Sequence, residues 1–336
     1  MTMFDSARGR ATGAPLMIIC LAILAVSGGC GTQKYSQMTE TTAASDSSPD
    51  PAGTPVSPSD AAVPDNAPIL IEDGGLMTPE SVLHDPARDI YLVSNINGQP
   101  LDKDNNGFIS RISPAGDIAR LKWIAGGANG VTLNAPKGMA ISGDVLYVTD
   151  IDAVRMFNVE TGAPAGEIAI EGASFLNDAT VSSDGTVYVT DTGWGSGSEG
   201  FTNTGTDAIW AILDGSARAV VRDVSLHNPN GIYATGSRLI IVNAQGEVFH
   251  YSLSGDMGVP QTLPGASLDG VVMTGGGQLL ISSWQTQSVY QGTMETGFKA
   301  IIENVPSPAD IGYDAKRNRV LIPVFLENKV RIEPLP

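Results

Sequence analysis

The sequence predicts an all-β protein that folds as a six-bladed β-propeller, and three observations carry that prediction. From Pro68 onward, short runs rich in Val, Ile, Leu and Tyr alternate with Gly, Asp and Asn clusters. These runs show no sustained helical periodicity of apolar residues. Two such runs joined by a short turn recur six times, at intervals of about 45 residues, which is the length of one propeller blade.

Residues 1–30 are predicted to be a signal peptide. Two arginines precede an apolar run from Leu16 to Val26, and a small-residue stretch ends at Cys30. A cysteine directly after Ser-Gly-Gly predicts a lipoprotein signal, in which Cys30 is acylated and anchors an exported protein to a bacterial membrane, facing the periplasm or the exterior. Plain signal-peptidase cleavage and an uncleaved anchor remain the alternatives.

Residues 31–67 are predicted to form a disordered linker, because Ser, Thr, Pro, Ala and Asp dominate and little can be buried. The remaining residues, 68–336, form the predicted propeller. Both cysteines of the chain, Cys20 and Cys30, lie in the signal segment, so the propeller contains no disulfide. The formal net charge of -17 makes nucleic acid an unlikely class of partner, since an acidic surface repels phosphates.

The six repeats each begin with a predicted hairpin. The second strands of the six hairpins are the strongest apolar runs of the sequence, at 90–95, 145–150, 187–191, 239–243, 279–283 and 320–324. Further strands follow most hairpins, such as FISRIS and AVRMFNV. The first strand, at 67–73, is expected to pair with the last blade, whose own sequence ends after about three strands. That pairing would close the ring and leave no open sheet edge.

The first strand of each hairpin is expected to begin at one face of the central channel. The residues that open these strands are Glu80, Lys137, Asn177, Asn230, Asp269 and either Ala309 or Asp310. Four of them carry side-chain oxygens, and two of the four are anionic, which suits a divalent cation and Ca²⁺ above all. The alternative is that Asn-Asp, Asn-Gly and Asp-Gly are ordinary turn dipeptides at strand entries.

Five segments carry a family resemblance: PESVLHDP, FLNDATVSSDGTVYVTD, NPNGIYATGSRLIIVN, LDGVVMTGGGQLLISSW and PADIGYDAKRNRVLIPV. They resemble the gluconolactonase and senescence-marker-protein (regucalcin-like) family over nearly all of residues 75–336, and more distantly diisopropylfluorophosphatase. The resemblance implies a six-bladed propeller with a divalent ion, usually calcium, on the channel axis. It also implies a small-molecule substrate such as a lactone.

The resemblance assigns roles to particular residues. Glu80, Asn177, Asn230 and Asp269 match the metal ligands of the family, and Asp269 also matches its proposed base or nucleophile. The chain departs from the family where it has Phe175, since sugar lactonases often carry an arginine there and phenylalanine cannot hold sugar hydroxyls. Phosphatase-like members carry a second acid where this chain has Val272.

Further residues are candidates around this centre. Asp178 either orients a metal-bound water or the ligand amide, or it caps the turn backbone. Lys137 stabilises an oxyanion, binds an acidic substrate or extends into solvent. His227 is a candidate substrate contact, whereas the spacing of the histidines does not suit zinc. Trp194 and Trp284 each follow a second strand and are expected to wall a pocket for an apolar or ring-shaped ligand.

The loop DKDNNG begins like a calcium-binding loop, with Asp102, Asp104 and Asn106 at alternate positions. Ser113 stands where such a loop needs a bidentate glutamate, and no helices flank it. Two interpretations therefore remain open for this loop near the channel mouth. It is either a secondary calcium site or an ordinary polar turn.

Two functions follow from these observations. The first is an exported, calcium-dependent hydrolase of a lactone or related ester, with Asp269 and Glu80 as the catalytic residues and the cation as Lewis acid. The second is a non-catalytic lipoprotein whose propeller binds a ligand or partner, with calcium only bracing the channel. In both cases the chain is expected to be a monomer that meets the membrane only through its lipid.

Overall fold

A computed structural model of the protein describes residues 67–198 and 200–335. The predicted signal peptide, Cys30 and nearly all of the predicted linker lie outside the described residues. Within the described part of the chain, no helix is long and apolar enough to cross a bilayer. Regular structure there consists of β-strands and two short 3-10 helices, at Val224–Leu226 and Phe325–Glu327.

The strands form six four-stranded antiparallel sheets, as the sequence predicts. Blade one contains β2 (Pro79–Asp85), β3 (Ile90–Asn95), β4 (Phe108–Ile112) and β5 (Ile118–Ala125). Blade two contains β6 (Pro136–Ser142), β7 (Val145–Asp150), β8 (Ala153–Asn158) and β9 (Pro164–Ala169). Blade three contains β10 (Leu176–Val181), β11 (Val187–Asp191), β14 (Ala208–Leu213) and β15 (Ser216–Arg222).

The last three blades repeat this arrangement. Blade four contains β16 (Pro229–Thr235), β17 (Arg238–Asn243), β18 (Glu247–Ser252) and β19 (Gln261–Thr262). Blade five contains β20 (Leu268–Met273), β21 (Leu279–Ser283), β22 (Ser288–Thr293) and β23 (Gly297–Ile302). Blade six contains β24 (Gly312–Asp314), β25 (Arg319–Val324), β26 (Lys329–Pro334) and β1 (Ile69–Ile71).

The ring is closed by the first strand, and this confirms the predicted pairing. Strand β1 lies antiparallel to β26, with Ile69 opposite Ile332 and Ile71 opposite Val330. The first and last described strands therefore pair in one sheet, and β1 covers the edge of β26 that would otherwise be unpaired. An ion pair joins blade six to blade one, because Arg317 of blade six contacts Asp89 of blade one at 2.7 Å.

The apolar core lies between adjacent blades. Alternate side chains of neighbouring sheets pack face to face, for example Leu92 and Ile109 of blade one against Leu146 and Val148 of blade two. The inner strands contact one another around the channel in the order β2, β6, β10, β16, β20 and β24, and β24 returns to β2. The residues that open these strands are thereby brought to one channel mouth.

One element was not predicted from the sequence. Strands β12 (Trp194–Gly197) and β13 (Gly200–Asn203) form a separate two-stranded sheet between β11 and β14 of blade three. The glycines of this segment hid the strand pattern, because glycine is depleted in strands. The aromatic residues Trp194 and Phe201, one in each strand, were the remaining signal of a hairpin.

Candidate metal centre

Five of the six inner strands carry an irregularity at the residue that opens them, and β24 of blade six does not. The antiparallel register between first and second strands shifts at Glu80, and equivalent shifts include Asn177, Asn230 and Asp269. A bulge of this kind turns a side chain out of the regular alternation and re-aims it. The same shift includes Lys137 in blade two. Backbone geometry therefore singles out the residues that the repeat pattern selected.

Glycines after two of these residues allow the inner strands to approach closely. A Cβ on Gly231 would lie 2.2 Å from the carbonyl oxygen of Asp269, and one on Gly270 would lie 2.3 Å from the amide nitrogen of Ile311. Any side chain at either position would therefore push neighbouring blades apart. The Asn-Gly and Asp-Gly pairs serve inter-blade packing here, in addition to the turn preference that explains them in isolation.

Hydroxyl groups on the second strands fix the backbone of the opening residues. Thr149 donates a hydrogen bond to the carbonyl of Asn177, and Thr190 donates one to the carbonyl of Asn230 at 2.6 Å. Ser282 does the same for Ala309 at 2.8 Å. Sequence reasoning missed these residues, although the Ser or Thr recurs at one position of the second strands, in VTD and ISS.

Three of the four predicted ligands hold a buried oxygen without a partner. Within residues 67–198 and 200–335, Glu80 Oε2, Asn230 Oδ1 and Asp269 Oδ1 have no hydrogen-bond partner. The three residues are between 6% and 7% exposed. Buried polar atoms are nearly always satisfied, and an orphan costs about 1–3 kcal/mol, so orphans that recur at one mouth need a reason.

The fourth predicted ligand, Asn177, is oriented by its neighbour. Its Nδ2 donates to Thr192 Oγ1 at 3.0 Å, and Thr192 in turn donates to the carbonyl of Pro229 at 2.8 Å. With the amide nitrogen held in this way, Oδ1 is the atom of Asn177 left to act as a metal ligand. Asn177 is 4% exposed, so its amide is as deeply placed as the other three.

Burial and neighbouring acids raise the pKa values of Glu80 and Asp269. Burial, then Asp269 and Asp310, raise the pKa of Glu80 well above its usual range. Burial and the charge of Asp310 raise the pKa of Asp269 to about 8, and the hydrogen bond from Trp284 opposes the rise. The backbone places these acids on adjacent strands, because the N–H of Asp310 donates to the carbonyl of Glu80 at 2.9 Å and a Cβ on Gly270 would lie 2.6 Å from Asp310 Oδ1. Neighbouring acids without a cation are costly, and a divalent ion would offset their repulsion.

Lys137 is a buried cation at the edge of the centre, and the expectation that it extends into solvent is wrong. It is 1% exposed, and its Nζ donates to the carbonyl oxygens of Pro100 and Ala135 at 3.1 Å each. Its Nζ also lies 4.5 Å from the centre of the Phe175 ring. Burial lowers the pKa of Lys137 to about 8, and the charge of Glu80 opposes that shift.

A second pair of acids lies one residue further along the inner strands. Asp178 accepts hydrogen bonds from the backbone of Ala179 and Ile232, at 2.6 and 2.7 Å, so it ties blade three to blade four. Asp310 accepts from Ser81 Oγ at 2.5 Å. The sequence left Ala309 or Asp310 open for the sixth position. In the structure Ala309 packs in an apolar cluster, and Asp310 bridges to Ser81, next to Glu80.

The residues present fit a hard divalent cation. Two carboxylates and two amide oxygens are the donor set that Ca²⁺ takes, with water completing its coordination. Among the described residues, no group of three or more His, Cys, Asp and Glu side chains is arranged to hold a metal ion. The two asparagines are therefore an essential half of the candidate set, and two carboxylates alone would be a weaker site.

Aromatic side chains stand beside the centre. Trp284 Nε1 donates to Asp269 Oδ2 at 2.7 Å, which leaves Oδ1 as the unpartnered oxygen of that acid. Phe175 is buried, and its ring meets those of Trp194 and Phe201 edge to face at 5.5 and 5.6 Å. The structure therefore brings Phe175, Trp194 and Trp284 to the surroundings of the centre.

Two other sequence candidates are placed away from the four oxygens. His227 is 51% exposed in its side chain, and its Nδ1 lies 3.0 Å from Glu247 at the start of β18. In the DKDNNG loop, Asp102 and Asp104 are exposed, and Asp104 accepts from the side chain of Asn106 at 2.6 Å. Asp104 Oδ1 also accepts from the backbone N–H of Asn106 at 3.3 Å, which is the contact of an ordinary Asx turn, and these two bonds use oxygens that a calcium ion would need.

Solved structures share this propeller. A putative gluconolactonase is 19% identical, with 79% of this chain and 91% of that chain covered and a TM-score of 0.59. A gluconolactonase from Xanthomonas campestris is 18% identical, with coverages of 78% and 87% and a TM-score of 0.57. The chain has a gluconolactonase-like propeller fold. Virginiamycin B lyase from Staphylococcus aureus, at 14% identity, coverages of 80% and 99% and a TM-score of 0.57, shares it too.

The likeness extends to the fold and not to an activity, because a hydrolase and a lyase are found on the same scaffold at these low identities. No protein-family profile matches the sequence, and a comparison with curated proteins also gives no match. Function therefore has to be argued from the residues at the channel mouth.

Proposed function

We propose that the protein is an exported, calcium-dependent hydrolase of a lactone or related ester, acylated at Cys30. Glu80, Asn177, Asn230 and Asp269 would hold the cation. The observation that carries the proposal is the set of unpartnered buried oxygens on Glu80, Asn230 and Asp269, which open the inner strands of three different blades. A structural role alone would have satisfied these atoms, as it has satisfied most buried polar groups of the protein.

A bound Ca²⁺ would polarise the carbonyl of the substrate as a Lewis acid. Asp269 is the residue best placed to supply the second function. Its Oδ2 is held by Trp284, so Oδ1 would face the cation with one lone pair and use the other to take a proton from an attacking water or to attack the carbonyl carbon itself. In the first route, water adds to that carbon, the ring C–O bond breaks, and the proton passes to the leaving oxygen, which gives a hydroxy acid.

Lys137 and Asp178 support the centre without taking part in the bond changes. Lys137 places a positive charge near Glu80 and so offsets part of the negative charge of the centre. Asp178 braces the strands of blades three and four through its two backbone hydrogen bonds, and it acts as a positioning residue. Burial around all of them keeps bulk water from competing for the same contacts.

The test is a panel of lactones and esters assayed with and without a chelator. Turnover should require added Ca²⁺, and Glu80→Gln should lower kcat/KM by at least about a hundredfold, because loss of a carboxylate ligand removes Lewis-acid catalysis. The matched control Glu160→Gln removes a 70% exposed acid and should behave as the wild type. Turnover that survives chelation would refute calcium dependence.

The second function, a binding propeller with structural calcium, gives a different result in the same assay. Calcium-loaded protein that hydrolyses no member of a broad panel would favour it. Asp269→Asn would then weaken calcium retention without removing any turnover. This outcome would keep the metal centre and discard the hydrolase.

A further inference from the structure

We propose that the hairpin inserted in blade three is a subsite for an apolar or aromatic substituent of the substrate. The inference rests on the proposed function and narrows its substrate class: a lactone or ester that carries an alkyl or aryl group, in place of a polyhydroxylated sugar lactone. Phe175, Trp194 and Phe201, which we call the aromatic wall, form this subsite.

The hairpin is an addition to the blade. In blade two, residues 151–152 connect the second strand to the third, whereas residues 192–207 make the same connection in blade three. The additional strands β12 and β13 take no part in the four-stranded sheet of that blade. Closing the propeller does not require them, and an insertion at the end of a second strand lies on the mouth side of the fold.

The aromatic wall has the geometry of a stacking platform. Trp194 and Phe201 are stacked, with ring centres 5.2 Å apart and planes 8° from parallel, and Phe175 meets both of them edge to face. Phe175 is 4% exposed, but Phe201 remains 43% exposed. An exposed aromatic face beside a polar centre stays in water at a cost, unless a ligand covers it.

The wall is connected to the candidate metal centre on two sides. Phe175 lies between the other two rings and Lys137, whose Nζ is 4.5 Å from its ring centre. Thr192, at the base of the hairpin, accepts the hydrogen bond from Asn177 Nδ2. A substituent lying on the wall would therefore extend from a reacting group held at the centre.

The chemistry of the wall sets the class of substituent. Phenylalanine rings have no donor or acceptor for a sugar hydroxyl, and a hydroxyl buried without a partner lowers affinity by roughly 5- to 150-fold. An apolar chain gains on burial, by roughly fourfold in affinity per methylene. A second aromatic pair, Trp284 and Phe325 with ring centres 5.3 Å apart, adds apolar surface next to Asp269.

The experiment measures binding of δ-lactams, which replace the ring oxygen of a lactone by NH and resist hydrolysis. Isothermal titration calorimetry on the calcium-loaded protein should show the 6-hexyl lactam binding at least about a hundredfold tighter than the unsubstituted lactam. Gluconolactam should bind no better than the unsubstituted compound. Trp194→Ala and Phe201→Ala should each reduce the hexyl preference by at least about fivefold, since each removes half of the stacked pair.

Controls keep the result independent of folding and of catalysis. Leu213→Ala removes a 52% exposed apolar side chain from the opposite end of the same blade, and it should retain the hexyl preference. Phe201→Leu keeps apolar volume and should retain more of the preference than Phe201→Ala. Tight hexyl lactam binding without lactone turnover supports the subsite and counts against the hydrolase.

Two outcomes would overturn the subsite. Equal affinity for the hexyl and unsubstituted lactams would show that the aromatic wall packs only against itself. A preference for gluconolactam would assign the mouth to sugar recognition. If lactone turnover occurs in either case, the hydrolase stands and only the proposed substrate class fails.

Discussion

Buried acids occur in this propeller in two groups that differ in their hydrogen bonds. Asp150, Asp191 and Asp314 end or follow strands, and their carboxylates accept hydrogen bonds from neighbouring groups. Glu80 and Asp269 open inner strands, and each retains an oxygen without a partner. All five are less than 9% exposed, so burial does not distinguish the two groups.

The difference separates structural acids from ligand-binding acids. A carboxylate that satisfies backbone N–H groups contributes to folding, because those donors would otherwise be buried without partners. A carboxylate with an empty oxygen next to other acids costs stability, and such a cost is typical of sites that bind a cation. The two groups should therefore respond in opposite directions when each is neutralised.

The largest expected effect is the loss of a partnered acid. Asp150 accepts from the backbone of Asn134 and Ala135 and pairs with Arg155 at 2.9 Å. Asp150→Ala should lower the free energy of unfolding by about 3–5 kcal/mol, because the buried Nε–H of Arg155 and the buried backbone donors lose their acceptor, although Glu167 still pairs with the Arg155 guanidinium. Urea unfolding of calcium-free protein measures it, with the exposed Asp144→Ala as control. A loss below about 1 kcal/mol would remove the distinction between the groups.

Neutralising an unpartnered acid should have the opposite sign. Asp269→Asn in calcium-free protein at pH 9 should raise the free energy of unfolding by about 1–3 kcal/mol, since it removes a buried charge that repels Asp310 and Glu80. The new amide can also donate to those acids. The same urea titration in the presence of a chelator measures this change. Destabilisation by the variant would place Asp269 with the structural acids.

The stability that the partnered acid Asp314 contributes should be lost at acid pH, and this effect is smaller than the two above. Burial would raise the pKa of Asp314, but hydrogen bonds from Tyr91 and Arg317 outweigh it and lower that pKa. A lowered folded pKa gives stability that is complete above the unfolded pKa, about 3.9, and is lost as the pH falls through the folded value. Unfolding measured from pH 5 to pH 2 should show this loss, and Asp314→Asn should show a shallower slope. Parallel slopes would contradict the assignment.

The smallest expected effect concerns the DKDNNG loop. Asp104→Ala removes the exposed hydrogen bonds that Asp104 accepts from the backbone and the side chain of Asn106, and it should cost less than about 1 kcal/mol. If the loop is an ordinary turn, the number of calcium ions bound per chain stays the same in this variant. Equilibrium dialysis that shows one ion fewer would identify a secondary site at Asp102, Asp104 and Asn106.

The fold could be predicted from the sequence because each blade repeats the same local pattern of short apolar runs separated by turn residues. The second strands at 90–95, 145–150, 187–191 and 279–283 agree with the structure residue for residue, since the extent of each apolar run sets the extent of its strand. The hairpin of blade three did not follow, because its glycines carry no strand signal and its pairing is independent of the repeat.

The candidate site followed only in part. Phase with the repeat selected Glu80, Asn177, Asn230 and Asp269, but a sequence does not reveal which oxygens lack partners. The burial of Lys137 was also beyond sequence reasoning, since carbonyl acceptors from Pro100 and Ala135 and the Phe175 ring hold its ammonium group. Such contacts depend on tertiary placement and leave no local pattern.

The most direct test of the account is a calcium titration of chelator-treated protein by isothermal titration calorimetry. The unpartnered oxygens predict saturable binding in the wild type and in Glu160→Gln. Glu80→Gln and Asp269→Asn should each weaken that binding by about a hundredfold, because ligand charge sets calcium affinity. Absence of binding in the wild type, or equal affinity in all four proteins, would contradict a cation site at the channel mouth.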